Sequence, residues 1–213
     1  NWNENLKLQK LEVQMLKELK SDVLQTKKEI ITAVEGHNKL LRSGQYLLDA
    51  MRLKLPYSDS INQAFLDMYK KFEIVPKTSG FENLKTIGLN TISDDSLRIA
   101  ITNLFQLRFT RLPTDMLPER SAFDVESLIF PYQIEYQEVD FSKPRKLGGK
   151  YLDTLNLYHY KIRDYKIFTN DMELFKILQL STSIRRNIIG GVMNVSEEID
   201  AVVVMIDKEL EKK

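Results

Sequence analysis

LKELKSDVLQTKKEIITAVEGHNKLLRSGQYLLDAM, residues 16–51, is the stretch on which the fold turns. Leu16, Val23 and Ile30 recur every seven residues, and His37, Gly44 and Met51 continue the row. A second row follows three or four positions later: Leu19, Ala33 and Val34, Leu40 and Leu41, Leu47 and Leu48. Two rows at that spacing lie on one side of a helix and repeat like a coiled coil. From Glu4 to Leu53 there is no proline, and Gly36 and Gly44 are the only glycines. A helix of ~50 residues is ~75 Å long. Pro56 ends it.

Downstream, Ser58-Asp59-Ser60 supplies an N-cap for a helix over roughly 60–73, with Ile61, Phe65, Met68 and Phe72 on one face. A short helix follows at 79–88, carrying Phe81 and Leu84. Ser93-Asp94-Asp95 caps another at about 94–111, with Leu97, Ile101, Leu104, Phe105 and then Leu107 or Arg108 facing inward. Residues 121–138 read as a helix kinked at Pro131, residues 142–149 as a loop, and 150–165 as a further helix. The last segment, Asp171 to Glu211, lacks proline and carries the stripe Leu174, Leu178, Ser181, Arg185, Ile188, Val192, Val195, Ile199, Val202, Ile206. Gly190-Gly191 within it would kink the helix or permit close helix contact. The expected fold is all-α: an elongated antiparallel helical bundle, one domain over 1–213, with long N- and C-terminal helices and shorter helices between.

Composition narrows the function classes. Of 213 residues, 31 are basic and 30 acidic, and there is no cysteine. A net charge of +1 argues against a dedicated nucleic-acid binder. The missing cysteines exclude thiol catalysis, a disulfide scaffold and Cys-ligated zinc. No run of 18 apolar residues occurs, so no membrane span is expected within these residues. The chain opens at Asn1 without Met, which reads as a fragment or a processed product.

Several stretches carry a resemblance. Asn1-Trp2-Asn3-Glu4, Leu55-Pro56-Tyr57-Ser58-Asp59-Ser60, Phe81-Glu82-Asn83-Leu84-Lys85 with Gly88, Ile92-Ser93-Asp94-Asp95-Ser96-Leu97-Arg98 and Ile206-Asp207-Lys208-Glu209-Leu210 together resemble a family of uncharacterised single-span membrane proteins found mainly in Bacteroidota. Phe81 stands where that family leads one to expect Tyr. The likeness covers essentially the whole chain and matches the family's soluble region, which directly follows the membrane span. It implies an anchor upstream in the inner membrane and, by the positive-inside rule, a soluble region in the periplasm. The family has no assigned activity, so the resemblance supplies no site residues.

The chemistry that these residues permit is limited. Two histidines, His37 and His159, cannot make the paired Glu-x-x-His motifs of a di-iron bundle or a His-x-x-x-His zinc motif. No glycine-rich phosphate loop or nucleophile elbow is present, and no cofactor or metal is expected. Both histidines fall on apolar stripes, so a bis-histidine haem site stands against two separate core histidines. Arg185 lies on the core stripe of the last helix, and an antiparallel register brings it level with His37. A buried arginine costs several kcal/mol unless paired. His37, Arg185, Arg186 and Asn187 are therefore the candidate ligand-binding residues, for an anion. The alternative is an arginine whose stem packs while its head reaches solvent or a carboxylate. Glu82, Asn83 and Lys85 could form a site or simply tie a short helix to its neighbours. Glu197, Glu198 and Asp200 read as a solvated face, and the basic run Lys143–Lys150 reads as a solvated loop or a contact with anionic lipid or protein. Ala201–Ile206 is apolar all round, so it and the heptads of 6–24 suit either the core or a homodimer. Three function classes result. The first is a membrane-tethered, non-enzymatic interaction or sensor-like module with an unknown protein partner. The second is a small-ligand-binding or enzymatic bundle. A purely structural spacer is a third.

Overall fold

The structure is a computed structural model that describes residues 2–68, 70, 72–115, 162 and 164–213, of which 113–115 are described by their backbone alone. Its elements are α1 (Trp2–Leu53), α2 (Asp59–Asp67), α3 (Ser79–Ile87), a 3-10 turn (Leu89–Thr91), α4 (Asp95–Asn103), a π turn (Leu104–Arg108), α5 (Phe109–Asp115), α6 (Tyr165–Asn170) and α7 (Met172–Glu211). The protein is all-α, with long first and last helices. The expected kinked helix at 121–138, the loop at 142–149, His159 and the Lys143–Lys150 run lie outside the described residues.

The chain divides into two compact units. One holds residues 1–39, 71–122 and 184–213, and the other holds residues 40–70 and 123–183.

In the first unit, α1 and α7 run antiparallel. Lys20 meets Asp207 at 2.5 Å and Lys27 meets Asp200 at 2.5 Å. A step of seven forward on one helix thus answers a step of seven back on the other. Leu16, Leu19, Val23, Ile30, Ile199 and Ile206 are fully buried between the helices and their neighbours α3–α5. The connecting segment is tied to α1 by polar groups. Asp22 accepts from the Gly80 N–H at 2.6 Å and from the Ser79 hydroxyl at 3.2 Å. Thr26 Oγ1 accepts from the Lys77 N–H, and Glu12 accepts from both the N–H and the hydroxyl of Ser93 at 2.8 Å. Gly80 suits this close approach: a Cβ would stand 3.1 Å from the α1 backbone at Glu18 and Leu19, a tighter contact than side chains usually make.

The π turn corrects the sequence reading of α4. An unbroken α-helix would carry the stripe from Leu104 to Leu107 or Arg108. One extra residue in the turn rotates the helix, so Phe109 follows instead and is buried, while Arg108 swings out to Glu198 at 2.6 Å. Phe109 packs edge-on against Phe105, which stacks on Phe81 at 4.7 Å. The helix also continues past the expected stop at 111, to Asp115.

The second unit is built on the C-terminal part of α1, α2, α6 and the start of α7. Leu47, Met51, Ile61, Phe65, Phe168, Leu174 and Leu178 form its core. Gly44 lets α7 come close, since a Cβ there would meet the Thr182 methyl at 2.5 Å. Helix α1 ends before Pro56 as expected, with Lys54 in the left-handed region (φ 52) and the Leu55 N–H returning to the Ala50 carbonyl at 3.0 Å. The Lys54 ammonium, in turn, donates to the Thr169 carbonyl and to Asn170.

Two boundaries differ from expectation. Helix α2 stops at Asp67, so Phe72 is not on its face. Tyr165 begins a helix rather than ending one, because Asp164 is extended (φ −131, ψ 97) and accepts from the Ile167 N–H as an N-cap.

Candidate functional site

Of the expected site residues, the structure brings His37 and Arg185 together. His37 comes from the middle of α1 and Arg185 from α7, level with it in the antiparallel register. Both are buried, at 1% and 3% exposure, and Arg185 Nη1 lies 3.4 Å from His37 Nδ1. A guanidinium only donates, so Nδ1 is the acceptor and the ring proton sits on Nε2. That Nε2 has no partner at bonding geometry among the described residues. Arg186 and Asn187 follow on the exposed side of α7 and do not join the buried pair.

Burial disfavours charge on both groups. It pushes the His37 imidazole down to about 4, the Arg185 guanidinium adds to the effect, and the nearby Phe72 backbone opposes it. Burial likewise lowers Arg185, to about 10. The imidazole is therefore neutral at neutral pH, which lets it accept from arginine instead of repelling it.

Sequence reasoning missed Phe72. Its ring meets His37 edge-on, with centroids 5.5 Å apart, and occupies the space over Gly36, where a Cβ would fall 2.4 Å from the ring. The available signal was Gly36 itself, since a glycine in the middle of a long helix often marks a close approach. On its outer side Phe72 lines an open cleft of about 330 Å³ with Lys28, Glu29, Thr32, Ala33 and Glu73. Phe72 thus borders both this cleft and His37.

The other candidates resolve into supports. Glu82 pairs with Lys85 at 2.6 Å, Asn83 donates to Glu18 on α1, and the Lys85 ammonium sits 5.6 Å over the Phe81 ring. Glu198 goes to Arg108 and Asp200 to Lys27, so these carboxylates do not converge. Among the described residues no cluster of three or more His, Asp or Glu could hold a metal ion, and no helix is long and apolar enough to cross a membrane. In Ala201–Ile206, Val202 and Ile206 are in the core while Val204 stays 52% exposed.

No protein-family model matches the chain, and no solved structure matches it.

Proposed function

We propose that this chain is an extracytoplasmic interaction or sensor-like module of a membrane-anchored protein, acting through helix contacts rather than through a reaction. One observation carries this reading: the antiparallel pairing of α1 and α7. Glu12 near the start of α1 meets Lys213 beyond the end of α7 at 2.5 Å, so the two long helices share one pole. A displacement applied there acts on both helices at once, and α1 continues from that pole without a break to Leu53. The resemblance to single-span membrane proteins supports placing the anchor at the Trp2 end, with the module in the periplasm. The test is fractionation of cells that make the natural product, combined with protease access. The expected result is membrane association, with this region cleaved only once the outer envelope is opened. Recovery in the cytosolic fraction sinks the reading.

A second reading, binding of a small anion, is favoured by the buried Nε2–H of His37 behind the Phe72 ring. It predicts that inorganic phosphate raises the melting temperature and that Arg185→Met abolishes the rise. No rise with phosphate in the unaltered chain excludes phosphate as that anion and removes the support for this reading.

A further inference from the structure

The α1–α7 seam of the first unit has an outer side as well as a core side. On α1 that outer side carries Lys17, Lys20, Leu24, Lys27 and Ile31, spaced three or four apart. On α7 it carries Met193, Glu197, Asp200, Val204 and Asp207, also spaced three or four apart. The bridges Lys20–Asp207 and Lys27–Asp200 fix the level of each residue. Leu24 stands level with Val204, and Ile31 stands close to the level of Met193. These four apolar side chains are 38%, 52%, 44% and 38% exposed, respectively. The bridging aspartates keep about half of their side chains open to solvent, 55% for Asp200 and 44% for Asp207. The strip is therefore basic along α1, acidic along α7, and apolar between the charges on both helices.

We infer that this strip pairs with the same strip of a second copy about a two-fold axis parallel to the helices. That operation lays α1 of one copy on α7 of the other and preserves every level. Lys27 then faces the partner's Asp200, Lys20 faces the partner's Asp207, and Leu24 faces the partner's Val204. A strip with one sign on each helix is complementary to itself under that rotation, as an isologous contact requires. Each bridge becomes a square of alternating charge, and the apolar side chains between the squares leave water. The alternating charges set the register of the pairing, and the apolar contacts hold it.

The size of the strip sets its strength. Fifteen residues of each helix, 17–31 and 193–207, cover about 20 Å by about 20 Å. Two such faces fall below the ~1,200 Å² of a stable interface, so the dimer forms and dissociates with concentration. This deepens the proposed function by naming the partner of the interaction module and rests on that reading. Fractionation tests the anchoring and the following experiment tests the partner, so either can fail alone.

The test is sedimentation equilibrium of the 213-residue chain from about 1 to about 200 µM, the range where a dimer below standard interface size associates. The unaltered chain is expected to pass from monomer to dimer. Lys27→Glu and Asp200→Lys should each weaken self-association at least about ten-fold. An equimolar mixture of the two should associate again, because the acidic layer of one then faces the basic layer of the other. Far-ultraviolet circular dichroism checks that both variants keep their helix content. Because the chain has no cysteine, Leu24→Cys and Val204→Cys provide a second readout. Mixed under oxidant, they should give more cross-linked dimer than either does alone. A monomer across the whole range, a dimer indifferent to both charge reversals, or a mixture that stays monomeric overturns the inference.

Discussion

At the scale of single residues, the buried His37 makes stability depend on pH in a defined window. Its ordinary value is 6.5 and its folded value is about 4. Between these values the unfolded chain binds a proton that the folded chain refuses. Stability is therefore complete above about pH 6.5, falls as pH drops towards 4, and loses nothing further from this group below that. In His37→Gln, which retains an acceptor for Arg185 and does not titrate, urea midpoints should lose this slope between pH 6.5 and 4. An unchanged slope would mean that other groups cause it. Asp22 gives a second prediction. Removing its carboxylate leaves the buried Gly80 N–H unmet, so Asp22→Ala should lower stability by about 2–3 kcal/mol in urea titration. The residue scale was also where the sequence was least legible. Arg185 and His37 could be aligned because both sit on the stripes of their helices. Phe72 could not: Gly36 signals a close approach, but only the folded chain shows which side chain fills that space.

At the scale of elements, caps and periodicity were readable and changes of phase were not. Ser58, Asp94 and Asp171 each accept from the N–H groups of the helix they start, and the first two are visible in the sequence as capping patterns. The π turn at Leu104–Arg108 is not visible, because Leu107 or Arg108 suits an ordinary helical stripe until the Phe81–Phe105–Phe109 stack claims Phe109. The glycines of α7 also differ from expectation. Among the described residues nothing lies within 4 Å of a Cβ at Gly190 or Gly191, and α7 runs through both without interruption. Among the described residues these glycines admit no neighbouring helix, they do not end the element, and each lowers its helix propensity. Gly190→Ala and Gly191→Ala should each raise stability by about 1 kcal/mol, measured as a higher urea midpoint with an unchanged slope. A loss of stability would show that the exposed face of α7 needs these glycines for something beyond the fold.

At the scale of the whole molecule, the all-α architecture and the antiparallel register followed from two long proline-free segments, since a stripe on each can be buried only against other helices. The allocation of residues to two compact units was not legible, because each long helix carries a single stripe through both. The polar ties on α1 have a further consequence, in the order of events during folding. Asp22 reaches Gly80 across 58 residues, and Thr26 reaches Lys77 across 51. Lys27 reaches Asp200 only across 173. The shorter loops cost less entropy to close, so α3 is expected to dock on α1 early and α7 to close the bundle late. In stopped-flow measurements Asp22→Ala should chiefly slow refolding, whereas Val202→Ala, in the α7 core, should chiefly hasten unfolding. The reverse pattern would mean that α7 leads. If α7 closes last, a nascent chain that has not yet reached residue 172 already contains both partners of its first stable contact, and the final helix arrives at a surface prepared to receive it.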